Sequence, residues 1–141
     1  MRTIALAATL AAVLLAPAAA EAATTTVKVH PSRYGRILVD GQGRTLYLFT
    51  RDRGPRSRCY GACARAWPPL IADSDARAGG GANAAKLGTT ARRGGATQVT
   101  YAGHPLYYYV NDRRPGQVLC QDVAEFGGTW LVLSPAGRAI R

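Results

Sequence analysis

No apolar run in this 141-residue chain reaches the roughly 20 residues that cross a bilayer; the longest, 4–16, stops at Pro17. No cysteine precedes Cys59, so no lipid-attachment cysteine is expected near the N-terminus. Histidine occurs twice, as His30 and His104, and neither sits at metal-ligand spacing, so no metal or cofactor site is expected. The chain has no G-x-S-x-G, no H-E-x-x-H, no phosphate-cradling glycine loop and no C-x-x-C-H. These absences leave no catalytic residue to nominate and no haem attachment. Acid is scarce too: 8 Asp and Glu stand against 18 Lys and Arg, a formal net charge of +10.

The residues present first indicate a compartment. Met1-Arg2, the apolar run and the alanines after Pro17 have the layout of a secretory signal peptide, 1–22, with cleavage expected after Ala20 or Ala22. The remaining 23–141 is one domain's length and can bury about two thirds of its unfolded surface. The basic residues are nearly all arginine, since only Lys28 and Lys86 are lysine. Export argues against a nucleic-acid partner. The expected partners are anionic envelope polymers or another protein, although net charge alone speaks to solubility and non-specific binding.

Along the chain, 24–30 alternates and is β-branched, as a strand does. Arg36 to Asp40 and Thr45 to Thr50 flank Gly-Gln-Gly-Arg, which predicts a hairpin. A short helical turn is expected over 62–67, stopped by Pro68-Pro69. The Gly- and Ala-rich stretch 71–96 is weakly patterned and reads as a long surface excursion joining two halves. Beyond it, 97–101 and 105–110 flank Ala102-Gly103-His104 as a second hairpin, and 128–134 reads as a last strand. The fold class is mainly β: a single small domain of two tandem hairpin-containing repeats, about 34–72 and 96–137, with a linker at 73–95.

The repetition is explicit. "TLYLFTRDR" begins at Thr45, and sixty positions later the chain reads "PLYYYVNDR". Tyr47, Phe49 and Asp52 match Tyr107, Tyr109 and Asp112, and Trp67 is followed at a similar offset by Trp130. A repeat unit commonly buries its apolar face against its neighbour, so the halves should share a core. Tyr47 and Phe49 share one strand face while Leu46 and Leu48 take the other, which implies burial on both sides, or on one side plus a groove. The two aspartates, just past the strand ends, should fix turns by accepting backbone N–H groups, with a tyrosine hydroxyl as a further donor. A proton-transfer role for them lacks a second catalytic element. Both tryptophans are expected in the core, and His104 is a polar turn residue.

Cys59, Cys63 and Cys120 make an odd count in a chain expected in an oxidising compartment. A structural disulfide is expected, either Cys59–Cys63 or one of these with Cys120. A thiol-exchange pair or soft-metal site using Cys59 and Cys63 is the rival reading.

"LVDGQGRTLYLFTRD", "CYGACARAWPPL", "QVTYAGHPLYYYVNDRRPGQ" and "EFGGTWLVLSPAG" together resemble a bacterial family of secreted repeats and predicted lipoproteins. Its hallmark is Tyr, any residue, an aromatic, any two, then Asp, and the resemblance spans about 35–137. It falls on Tyr47, Phe49 and Asp52, on Tyr107, Tyr109 and Asp112, and on the Cys59, Cys63, Ala64, Trp67, Pro68 and Pro69 signature. The family is one of unknown function, so the resemblance implies a repeat architecture and export but no catalytic residue. Sequence alone thus leads to a secreted, non-enzymatic binding or structural module, with thiol-redox or metal handling as the alternative.

Overall fold

The computed structural model describes residues 16–18, 24–72 and 74–141. Apart from 16–18, the expected leader lies outside the described residues. The protein is mainly β, with three small three-stranded sheets. The first sheet is built on a hairpin that sequence reading placed elsewhere. β1 (Thr26–Ser32) and β2 (Gly35–Asp40) pair antiparallel from Val27↔Asp40 to Ser32↔Gly35. The expected hairpin of β2 with β3 (Tyr47–Phe49) shrinks to one bridge, Val39↔Thr45. The turn between them is held by Asp40, whose Oδ1 accepts the N–H groups of Gln42 and Arg44, both at 2.9 Å. The main partner of β3 lies in the other half of the chain.

The expectation of a patternless excursion over 71–96 is corrected. It contains β4 (Arg77–Ala78), which pairs parallel with β1, a 3₁₀ turn (Ala84–Lys86) and β5 (Leu87–Ala91). Gly79 and Gly81 mark close approach to β1, while Gly94 and Gly95, at φ of 91° and 96°, serve the turn that follows β5. A Cβ on Gly79 would meet Lys28 at 2.9 Å, and one on Gly81 would meet Val29 at 3.1 Å. Residues 77–81 therefore lie along β1, with Val29 N–H donating to Gly80 O at 3.0 Å.

β5 pairs with β6 (Thr97–Tyr101), and β6 with the two-residue β7 (His104–Pro105). The second hairpin thus forms as expected, but its turn is Ala102-Gly103 with φ of 50° and 80°, and His104 begins the strand. Two successive positive φ values suit a tight two-residue hairpin turn, which explains the glycine. The helix α1 (Ala62–Ala66) falls where expected. β8 (Val123–Glu125), unforeseen in sequence, forms a hairpin with β9 (Gly128–Val132) across Phe126-Gly127.

β3 pairs antiparallel with β9, Tyr47↔Val132 to Phe49↔Trp130. On the other side, Tyr47 and Tyr107 exchange both backbone hydrogen bonds, at 2.8 and 3.0 Å. The chain after β7 then pairs with 66–70: Leu70 N–H donates to Leu106 O, Tyr108 N–H to Pro68 O and Val110 N–H to Ala66 O. Each motif strand is therefore paired with the tryptophan segment of the opposite half.

Alternation along these strands fills two cores. Leu38, Leu46, Leu48, Leu70, Leu106, Leu131 and Leu133 enter one. Ile37, Val39, Tyr47, Phe49, Trp67, Tyr107, Trp130 and Val132 enter the other. The two-sided burial expected of the motif strand is what the structure has, with Leu46 and Tyr47 both at 0 % exposure.

Candidate functional site

The aromatic core positions everything else. Trp67 and Trp130 stack face to face, centroids 4.0 Å apart and 2° from parallel. Phe49 extends the stack over Trp130 at 4.1 Å, and Tyr109 over Trp67 at 4.8 Å, giving a column of four rings drawn alternately from the two halves. Tyr47 meets Trp67 edge-on and Tyr107 meets Trp130 edge-on, both at 5.2 Å. One residue serves both indoles: Glu125 accepts Trp67 Nε1–H on Oε2 at 2.8 Å and Trp130 Nε1–H on its backbone oxygen at 3.3 Å.

The motif aspartates are wired across the halves. Tyr47 Oη–H donates to Asp112 Oδ2 at 2.6 Å, and Tyr107 Oη–H donates to Asp52 Oδ2 at 2.9 Å. Each remaining carboxylate oxygen accepts a backbone N–H in its own half, from Arg58 at 2.7 Å and from Leu119 at 3.0 Å. Burial raises the pKa of both carboxyls, Asp52 to about 6. Burial, with the neighbouring carboxylate, also pushes both tyrosine hydroxyls well above the ordinary phenol range, so they stay protonated donors. The turn-fixing acceptor expected of each aspartate is thus present, and the tyrosine it answers belongs to the other repeat.

Cys59 and Cys63 form a disulfide, with Cα atoms 5.2 Å apart. Cys59 is fully buried and Cys63 is 5 % exposed. Cys120 is a free, half-buried thiol whose pKa burial raises. Among the described residues no three His, Cys, Asp or Glu side chains come together as a metal site.

A second constellation, which sequence reading missed, lies on the outside of the first repeat's loop. Arg51, Arg58, Tyr60 and Arg93 line two adjoining hollows of about 750 and 550 Å³. Arg56, Ser57, Thr90 and Ala91 complete the first, and Ala62, Cys63, Phe126 and Gly127 complete the second. The four arginines are exposed. Among the described residues no carboxylate or carboxamide side chain lines either hollow.

The trough is braced from beneath by Arg92, which is 9 % exposed. Its guanidinium donates to Ser57 Oγ at 2.9 Å, Gln98 Oε1 at 2.8 Å and Cys59 O at 2.7 Å, which ties the loop to β6. Ser57 Oγ also lies 2.7 Å from Tyr107 Oη, linking the loop to the motif network. The guanidiniums of Arg92 and Arg93 lie over the Tyr60 ring at 4.4 and 4.0 Å. At the far end Arg51 Nη1 donates to Phe126 O at 3.2 Å. The available sequence signal was the run Arg51, Arg53, Arg56 and Arg58 in the loop after the first motif.

Interlocked β repeats with a shared aromatic core and an exposed basic trough define a repeat-built β module. Comparison with known families places it further: a family described as a secreted repeat of unknown function matches residues 28–71 and 88–134, more than half of the chain. The chain belongs to that family of secreted repeats. No curated protein and no solved structure matches it. Among the described residues no helix is long and apolar enough to cross a membrane.

Proposed function

We propose that this protein is a non-enzymatic binding module of the cell envelope or extracellular space that holds an anionic ligand in the arginine trough, after removal of the leader at about residue 22. The observation carrying this reading is the convergence of four exposed guanidiniums on two adjoining hollows without an acidic side chain in the lining. Arginine presents a planar fork of donors that matches oxyanions bidentately. Membership in a secreted family puts envelope anions within reach. The rival thiol-redox reading has less support, because Cys59 is fully buried and only an edge of Cys63, 5 % exposed, reaches the second hollow.

The test must separate the trough from the chain's net charge of +10. One triple variant removes Arg51, Arg58 and Arg93. A charge-matched control removes the exposed Arg33, Arg113 and Arg114, which line neither hollow. Binding to anionic polymer beads is expected to fall more than about tenfold in the first and a few-fold in the second, as salt-screened contacts predict. Equal losses would assign the binding to net charge and end the proposal.

A further inference from the structure

The donor and acceptor inventory of the trough limits what class of anion it can take. Its charged groups are all guanidiniums, which donate and cannot accept. The only side-chain acceptors in the lining are hydroxyls, on Ser57, Tyr60 and Thr90. Ser57 Oγ already receives Arg92 Nη1–H, and Tyr60 Oη receives the N–H of Arg93 at 3.3 Å. A sugar acid brings several hydroxyl donors per residue along with each carboxylate. Those hydroxyls would find few side-chain acceptors here, so they gain little from the lining beyond what their water already gives. A phosphodiester chain is the opposite case: rich in acceptor oxygens, poor in donors, and charged at every repeat.

The shape gives the second half of the argument. The two hollows share Arg51, Arg58, Tyr60 and Arg93 and run on from one another, from Thr90 on β5 to Phe126 at the β8–β9 turn. A single small anion would occupy only part of one of them, at about 750 and 550 Å³. A linear chain of anions can lie along both.

Resting on the anion-binding reading above, we infer that the trough binds a linear phosphodiester polymer of the cell envelope, with successive phosphates on the two hollows. Single-stranded nucleic acid carries the same backbone, but binders of that class offer free aromatic faces for base stacking. Here the Tyr60 ring is already covered by guanidiniums of Arg92 and Arg93, which leaves the half-buried Phe126 as the one lining aromatic for a base to meet, against the several a stacking platform uses.

The experiment is a titration of the whole secreted chain, at several salt concentrations, with four probes: poly(glycerol phosphate), free glycerol phosphate, polygalacturonate and single-stranded DNA. Poly(glycerol phosphate) is expected to bind on the order of a hundredfold tighter than its monomer, because the second hollow is filled intramolecularly. It is also expected to exceed polygalacturonate and DNA by about tenfold at matched charge, about 1.4 kcal/mol. Each trough arginine removed should lower the salt slope by about one ion or less. Arg56→Ala, confined to the first hollow, should weaken the polymer but leave more binding than Arg58→Ala.

Equal affinity for monomer and polymer would overturn the two-hollow inference and leave the anion-binding reading standing. Equal or tighter binding of polygalacturonate or DNA would overturn the assigned ligand class and likewise leave that reading. Failure of every anion to bind, or binding indifferent to Arg58→Ala and Arg93→Ala, would overturn both.

Discussion

Arg58 and Leu119 occupy the same station in the two repeats. Each donates its backbone N–H to the motif aspartate of its own half, and each is exposed, Leu119 to 54 %. Cys59 and Cys120 follow them one residue later. From there the halves part: the first continues into a disulfide and α1, the second into the β8–β9 hairpin, and both arrive at a buried tryptophan. The same joint therefore carries Arg51, Arg56 and Arg58 around one set of hollows in the first half, and in the other half the exposed Val110 and Leu119 beside Arg113 and Arg114, which line neither hollow. The motif builds the frame, and the residues between its fixed points decide what each half presents to solvent.

The largest test of that symmetry is the stacked pair. Trp67→Ala and Trp130→Ala should each cost about 3–5 kcal/mol in urea unfolding, as large core truncations do. A small loss in only one would break the equivalence of the halves. Next come the crossed hydroxyls. Tyr47→Phe leaves the 1 % exposed Asp112 short of a donor and should cost about 2–3 kcal/mol, whereas Tyr107→Phe, facing the more accessible Asp52, should cost about 1. The reverse order would show that burial does not separate them. Removing the disulfide with Cys63→Ser should cost about 2 kcal/mol, the chain-entropy value for so short a loop.

The smallest effect is a pH dependence. Because burial raises Asp52 to about 6, the folded chain holds that proton more tightly than the unfolded chain does. Its contribution to stability is thus greatest in the protonated form and fades as pH rises through about 6. The melting temperature should therefore gain on acidification from about pH 7 to 5, and Asp52→Asn should flatten the gain more than Asp112→Asn. An unchanged profile in Asp52→Asn would reject this assignment.

The motif strands, the helical turn at 62–66 and the two-sided burial of Tyr47 and Leu46 were legible because they are local: alternation, a proline stop and turn chemistry sit within a few residues. Which tyrosine answers which aspartate was not legible. That depends on β3 pairing with β9, more than eighty residues away in sequence, and no local pattern encodes such a partner. Stretch 71–96 misled for a related reason. Gly79 and Gly81 suit a backbone pressed against β1 and Gly88 one pressed against β6, and a close approach leaves no apolar period to read. The trough was hidden in a charge count, since four arginines become a site only once the β5–β6 turn brings Arg93 beside the loop that bears the others.

The crossed pairing has a consequence for ancestry and assembly. Each motif strand completes its ladder, its carboxylate and its aromatic column only with groups from the opposite repeat. A chain bearing a single such repeat could close this core only around a second copy, as a symmetric homodimer. Joining two copies in one polypeptide fixes the stoichiometry and releases the halves from identity. Only then can one side set its arginines around a hollow while those of the other, Arg113 and Arg114, line neither.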